Sequence, residues 1–137
     1  MQKLSDRVGT FTDSVIRRMT RINNQYDSIN LSQGFPDFDP PQELLDALAK
    51  TAYQGPHQYA VTFGAQNFRE ALAKKVSPTL HHEVDPNTEI CVTCGGTEAM
   101  MAAMMTLCNP GDKVMIFSPF YENYGADAIL SGAEPIY

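Results

Sequence analysis

Val92-Thr93-Cys94-Gly95-Gly96-Thr97-Glu98-Ala99 joins two segments of opposite character. Upstream, Glu89-Ile90-Cys91-Val92-Thr93 is a short apolar, β-branched run, the pattern of a buried strand. Downstream, Glu98 to Leu107 is dense in alanine and methionine and holds no breaker, which predicts a helix. The paired glycines at the joint let the chain turn sharply and expose backbone N–H groups. Thr97 is expected to be the N-cap, with Glu98 adding negative charge in the first turn. A strand, a Gly-Gly turn and a helix N-terminus form an anion cradle sized for one phosphate. The spacing lacks the third glycine of a dinucleotide fingerprint and the Gly-Lys-Ser/Thr of a P-loop. Taken alone, it also fits a plain strand-to-helix turn.

The next segment decides between these. Asn109-Pro110-Gly111-Asp112 stops the helix, and Lys113-Val114-Met115-Ile116-Phe117 is a second apolar run, ending at Ser118-Pro119-Phe120-Tyr121. Strand, helix and strand make a βαβ unit, so the two strands are expected to run parallel with a right-handed crossover. Both strand ends then share one rim of the sheet, where open α/β folds bind ligands. A phosphate cup at one strand end and aromatic rings at the other suit a flat ring bearing a single phosphate.

Composition narrows the class. The chain has 137 residues, enough for one domain with an ordinary core, and a formal charge of −6, which argues against a nucleic-acid surface. No apolar run approaches the length of a membrane span, and the residues from Met1 to Arg7 lack a signal peptide's apolar region. Three cysteines, an odd number, point to reduced thiols and a cytoplasmic location. Cys91-x-x-Cys94 has no second pair for zinc, and Cys91 falls inside the predicted strand, so these cysteines read as structural. His81-His82 lies in a polar loop without a carboxylate at ligand spacing and reads as solvated.

Residues 1–11 read as an irregular arm. Thr12-Asp13-Ser14 offers helix caps ahead of Val15, Ile16, Met19 and Ile22, which recur at helical spacing. Ser28 to Leu31 is a short extended segment, and residues 32–41, rich in Gly, Pro and Phe, form a loop. Pro41 is placed at the first position of a helix that ends near Gln54-Gly55-Pro56. After an irregular loop, His57 to Gly64, comes a capped amphipathic helix with Phe68, Leu72, Ala73 and Val76 inward and Arg69, Lys74 and Lys75 outward. Residues 77–88 read as a surface connection. Glu122 to Leu130 is a helix closed by Ser131-Gly132, and Glu134-Pro135-Ile136-Tyr137 begins a third strand. A parallel sheet needs both faces covered, so these residues are expected to be the N-terminal part of a longer protein.

In combination these segments resemble the class I/II aminotransferases, the fold-type-I enzymes that use pyridoxal 5′-phosphate, in their kynurenine/glutamine/methionine or aspartate-aminotransferase-like branch. The resemblance rests on residues 11–17, Asn30-Leu31-Ser32-Gln33-Gly34-Phe35-Pro36-Asp37-Phe38, Gln58-Tyr59 with Gly64 and Phe68-Arg69, residues 95–99, Asn109-Pro110-Gly111-Asp112 and Pro119-Phe120-Tyr121-Glu122-Asn123-Tyr124. It implies an α/β fold, a mostly parallel sheet with helices on both faces, preceded by an N-terminal arm and helix. Residues 1–40 would be the arm, helix and substrate-side loop, and residues 41–137 the start of the large cofactor-binding domain.

The resemblance also implies roles. Gly95, Gly96 and Thr97 would hold the cofactor phosphate, and Tyr121 would stack on the pyridine ring while Phe120 points elsewhere. Gly34 would lie in the loop that meets the substrate carboxylate. Tyr59 would reach the phosphate of the other subunit's cofactor, giving a homodimer with shared active sites. The reaction implied is transfer of an amino group between an amino acid and a 2-keto acid. A carbon–sulfur lyase on the same fold and a non-catalytic phosphate-binding regulatory domain remain alternatives. The family's Schiff-base lysine lies beyond Tyr137, and none of the five lysines here sits at the rim. These residues are therefore expected to carry the cup and the ring stack without the covalent chemistry.

Overall fold

The computed structural model describes residues 3–55 and 57–137. Met1, Gln2 and Pro56, which entered the readings of the arm and of one helix end, lie outside them. In order, the elements are a 3-10 turn Asp6–Thr10, α1 Val15–Tyr26, α2 Gln42–Ala52, α3 Gln66–Leu80, α4 Gly95–Leu107, β1 Lys113–Met115, α5 Asn123–Leu130 and β2 Glu134–Ile136. No helix among the described residues is long and apolar enough to cross a membrane. Two compact units emerge, one holding residues up to Asp39 together with Met100–Tyr137, the other Pro40–Ala99.

In the first unit β1 and β2 pair in parallel, Lys113 opposite Glu134 and Met115 opposite Ile136, with α5 as the connection. The partner of β1 is therefore the run that reads as a third strand. Both strands enter through a glycine at positive φ, Gly111 at 89° and Gly132 at 85°. The Gly111 N–H donates to the Gly132 carbonyl at 2.9 Å and the Glu134 N–H to the Asp112 carbonyl at 2.7 Å. Glu134 N–H and the Ile136 carbonyl both face β1, so Pro135's missing donor falls on the other side of β2 and costs this ladder nothing. Helix α1 starts where its caps predict. The Ser14 hydroxyl accepts from the Arg17 N–H at 3.4 Å, while the Val15 N–H donates to a carboxylate oxygen of Glu122 at 3.3 Å. Arg7 donates to the Leu130 carbonyl at 3.1 Å.

Asp127 on α5 is 4% exposed, and its Oδ2 and the Ser131 hydroxyl have no hydrogen-bond partner among the described residues. Burial pushes the Asp127 carboxyl above its ordinary pKa of 3.8. A carboxyl whose folded pKa is raised stabilises the fold below its ordinary pKa and loses that contribution as pH rises through the raised value. At neutral pH it is thus a burden that an amide would not carry. Asp127→Asn is expected to raise the melting temperature of the protein by a few degrees at pH 7, with the gain shrinking toward pH 3. Equal melting temperatures at pH 7 would refute this.

In the second unit, α2 begins one residue later than expected, with Pro41 as N-cap. The predicted strand Glu89–Thr93 is corrected: these residues are irregular. β-branched residues favour extended backbone, but a strand exists only beside a partner. The Val92 N–H finds a single carbonyl, that of Phe63, at 3.0 Å. Helix α3 runs to Leu80, through Pro78 and four residues into the predicted surface connection. Ser77 ties this end of the helix to the residues around it. Its hydroxyl donates to the Ala73 carbonyl at 2.7 Å and accepts from the Val84 N–H at 3.0 Å, while the His81 N–H closes on the Ser77 carbonyl.

Several readings of side chains in this unit change. Helix α3 has no side-chain cap at Ala65, Phe68 is exposed, and Arg69 is 6% exposed instead of pointing outward. His82 has a carboxylate partner, lying 2.9 Å from Glu89 Oε1. The Asp85 N–H and then His82 hold the Glu89 carboxyl below its ordinary pKa, and the Asn87 N–H and Thr88 hydroxyl do the same for Asp85. Cys91 and Cys94 are exposed free thiols outside any strand.

The core is small: Ile116, Ala128 and Ala133 in the first unit, Ala73 and Val84 in the second. The accessible surface is 11733 Å². Two separate compact bodies of these sizes would together expose only about 8,500 Å². Exposed apolar side chains account for much of the difference. They include Val15, Met19 and Ile22 along α1 and Leu44, Leu45 and Leu48 along α2.

Candidate functional site

The second unit contains the phosphate cup. Helix α4 starts at Gly95 itself, three residues earlier than the Thr97 cap predicts. Thr97 is thus the third helical residue, with an exposed side chain. The cap is supplied from inside the helix, because the Glu98 carboxylate accepts from the Cys94 N–H. A longer acidic side chain reaches back over the first turn, which a threonine at 97 cannot do. The Gly95 N–H turns back to the Thr93 carbonyl at 2.9 Å, and Gly95 holds φ at 84°, where a side chain would be strained.

Gly96 and Thr97 follow in the first turn, where N–H groups have no intrahelical acceptor. A Cβ at either Gly95 or Gly96 would meet nothing within 4 Å, so no side chain crowds the Cα atoms of this turn. Two N–H groups, one hydroxyl and a helix N-terminus fit a phosphate. The Glu98 carboxylate, tied to Cys94, places negative charge beside the same turn.

The first unit contains an apolar cavity of about 660 Å³, lined among others by Met100, Met104, Ile116, Phe117, Tyr121 and Tyr124. The Tyr121 ring stands edge-on to Tyr124, with centroids 5.9 Å apart and planes at 81°. The Tyr121 ring is 46% exposed. Phe120 is turned into a stack with Tyr137, at 4.8 Å and 25°. A flat aromatic ring fits a cavity so lined. The five lysines, Lys3, Lys50, Lys74, Lys75 and Lys113, are all exposed and none lines this cavity.

The other two predicted residues lie on exposed loops. Tyr59 is 99% exposed, with no packing of its own. Gly34 lies between Ser32 and Asp39, and a Cβ there would meet nothing within 4 Å. Sequence reasoning missed Arg69 and the capping role of Glu98. Arg69 falls on one helical stripe with Ala73 and Val76, and that spacing was the available signal.

Residues 26–137 match the model of the family described as aminotransferase class I and II. Over 119 residues the chain is 42% identical to a methionine aminotransferase of Escherichia coli K12, covering 87% of this chain and 31% of that protein. Over 134 residues it is 34% identical to a kynurenine–oxoglutarate transaminase of Dictyostelium discoideum, covering 97% of this chain and 31% of that protein. A solved Escherichia coli structure, described as having a methionine aminotransferase function, superposes with a TM-score of 0.89 at 37% identity. That match covers 99% of this chain and 36% of the other. The chain thus spans about a third of the length of the relatives it matches.

Proposed function

The chain belongs to the class I and II aminotransferases, and from that premise we propose that its protein moves an amino group between an amino acid and a 2-keto acid, with pyridoxal 5′-phosphate as cofactor. The observation that carries this reading is the uncrowded first turn of α4, whose donors suit one phosphate. When bound, the cofactor supplies an electron sink for the bond broken at the substrate Cα. The Gly96 and Thr97 N–H groups and the Thr97 hydroxyl hold the phosphate, with Gly95 providing the turn that exposes them. Tyr121 stacks on the ring. The Gly34 loop lies toward the substrate carboxylate. Residues 1–40 serve as arm and substrate-side segment, and residues 41–137 begin the cofactor domain.

Tyr59 reaches the phosphate bound by a second copy of the protein, so the sites of a homodimer are shared. Its full exposure and the uncovered apolar faces of α1 and α2 support this assembly. Free thiols are in keeping with a cytoplasmic enzyme.

Two measurements test the reading. Incubation of the full protein with an amino acid and a 2-keto acid should yield the donor's keto acid and the aminated acceptor in equal amounts. Ammonia and pyruvate in their place would indicate a lyase and overturn it. Tyr59→Phe should speed loss of cofactor on dialysis about ten-fold, the equivalent of one hydrogen bond to a charged group, while the melting temperature of the apoprotein stays unchanged. Cofactor retention equal to that of the parent would remove Tyr59 from the phosphate.

A further inference from the structure

The buried guanidinium of Arg69 serves three acceptors. Nε donates to the Gly64 carbonyl at 3.0 Å, one terminal nitrogen to the Pro86 carbonyl and the other to the Gln66 side-chain oxygen. Gly64 closes the loop that carries Tyr59. Its φ is 105°, and a Cβ there would lie 2.7 Å from Val92 Cβ, closer still to Cγ2. Beside that contact the Val92 N–H donates to the Phe63 carbonyl at 3.0 Å. Val92 stands three residues ahead of Gly95. One guanidinium, one glycine contact and one backbone hydrogen bond therefore tie the end of the Tyr59 loop to the segment leading into the phosphate cup.

We propose that Arg69 is a positioning residue for phosphate binding: by clamping the Gly64 end of the loop beside Val92, it holds Tyr59 in the geometry in which it meets its phosphate. This rests on reading Tyr59 and the cup as phosphate ligands. The residue type follows from the task. Three acceptors in different directions match the planar fork of arginine, whereas lysine offers the same charge as a single point. Arg69→Lys keeps the charge and removes the fork. Arg69 does not touch the phosphate, so its influence must pass through the loop.

A double-mutant cycle in the holoenzyme separates this from a merely structural role. The rate of cofactor loss is measured for the parent, Tyr59→Phe, Arg69→Lys and the double variant. Each single change is expected to speed loss about ten-fold, and the double variant to lose cofactor no faster than Tyr59→Phe alone. Amide hydrogen exchange over residues 59–64 of the apoprotein should quicken in Arg69→Lys. If Arg69→Lys does not fold, Gln66→Ala, which removes one of the three acceptors, replaces it in the same cycle. Effects that multiply in the double variant, or unchanged loop exchange, overturn the clamp while leaving the Tyr59 contact intact. No effect of Tyr59→Phe would overturn the contact, and the clamp with it.

Discussion

Prepared by itself, the 137-residue chain is expected to bind pyridoxal phosphate no more tightly than roughly millimolar and to transfer no amino group. The donors at the start of α4 lie at a helix N-terminus, which contributes about 0.3–1 kcal/mol to anion binding, and up to about 2 when partly buried. The Glu98 carboxylate at the same turn opposes that contribution. Stacking on Tyr121 adds about 0.5–1.5 kcal/mol beyond area burial. Without ring burial these terms fall short of the roughly 4 kcal/mol that millimolar affinity requires, and what burial adds is opposed by the freedom lost on association. No lysine lines the aromatic cavity, so none is placed to bond the cofactor's aldehyde. Titration with the cofactor, followed by its absorbance, decides the matter. A stoichiometric covalent adduct on one lysine at micromolar cofactor would sink the prediction.

Gly64→Ala should be the most damaging single methyl that can be added to the second unit, costing about 3 kcal/mol or more. Two independent penalties combine. A non-glycine residue at φ 105° is strained, at about 1–3 kcal/mol. The new Cβ also overlaps Val92, and overpacking of that kind costs about 1–3 kcal/mol. The neighbour has little room to retreat, because the Val92 N–H is bonded to the Phe63 carbonyl and Arg69 holds the Gly64 carbonyl. Urea unfolding of the full protein measures the loss. Adding Val92→Gly should restore the packing share and leave the backbone share. A loss below about 1 kcal/mol in Gly64→Ala would mean that the turn adapts and the two penalties are not both present.

How much of this was legible depended on how local the determining contacts are. The starts of helices α1 and α2 could be placed to within a residue, because Ser14 and Pro41 act on their own next turn. The order of strand, helix and strand from Lys113 to Ile136 was equally legible, since Gly111 and Gly132 mark both entrances. The cup was located but its cap was misassigned. Thr97 is the better cap by residue type, yet the Glu98 side chain reaches the Cys94 N–H and starts the helix earlier. Glu89–Thr93 was misread because apolar alternation describes a willingness to pair and carries nothing about whether a partner lies alongside. Arg69 was misread for a related reason. Charge argues for solvent, and only the carbonyls of Gly64 and Pro86, brought in from outside the helix, reverse that preference. Asp127 sits on a short apolar helix beside Ala128, and nothing in its neighbours' identity distinguishes it from a surface carboxylate.

The Glu122 carboxylate that receives the Val15 N–H, and the Leu130 carbonyl that receives Arg7, lie 107 and 123 residues further along the chain. Synthesis runs from the other end. At about 5–20 residues per second, the first helix leaves the ribosome roughly 5–20 s before the carboxylate that secures it has been made. Arg7 and Val15 are thus translated well before the partners that fasten them.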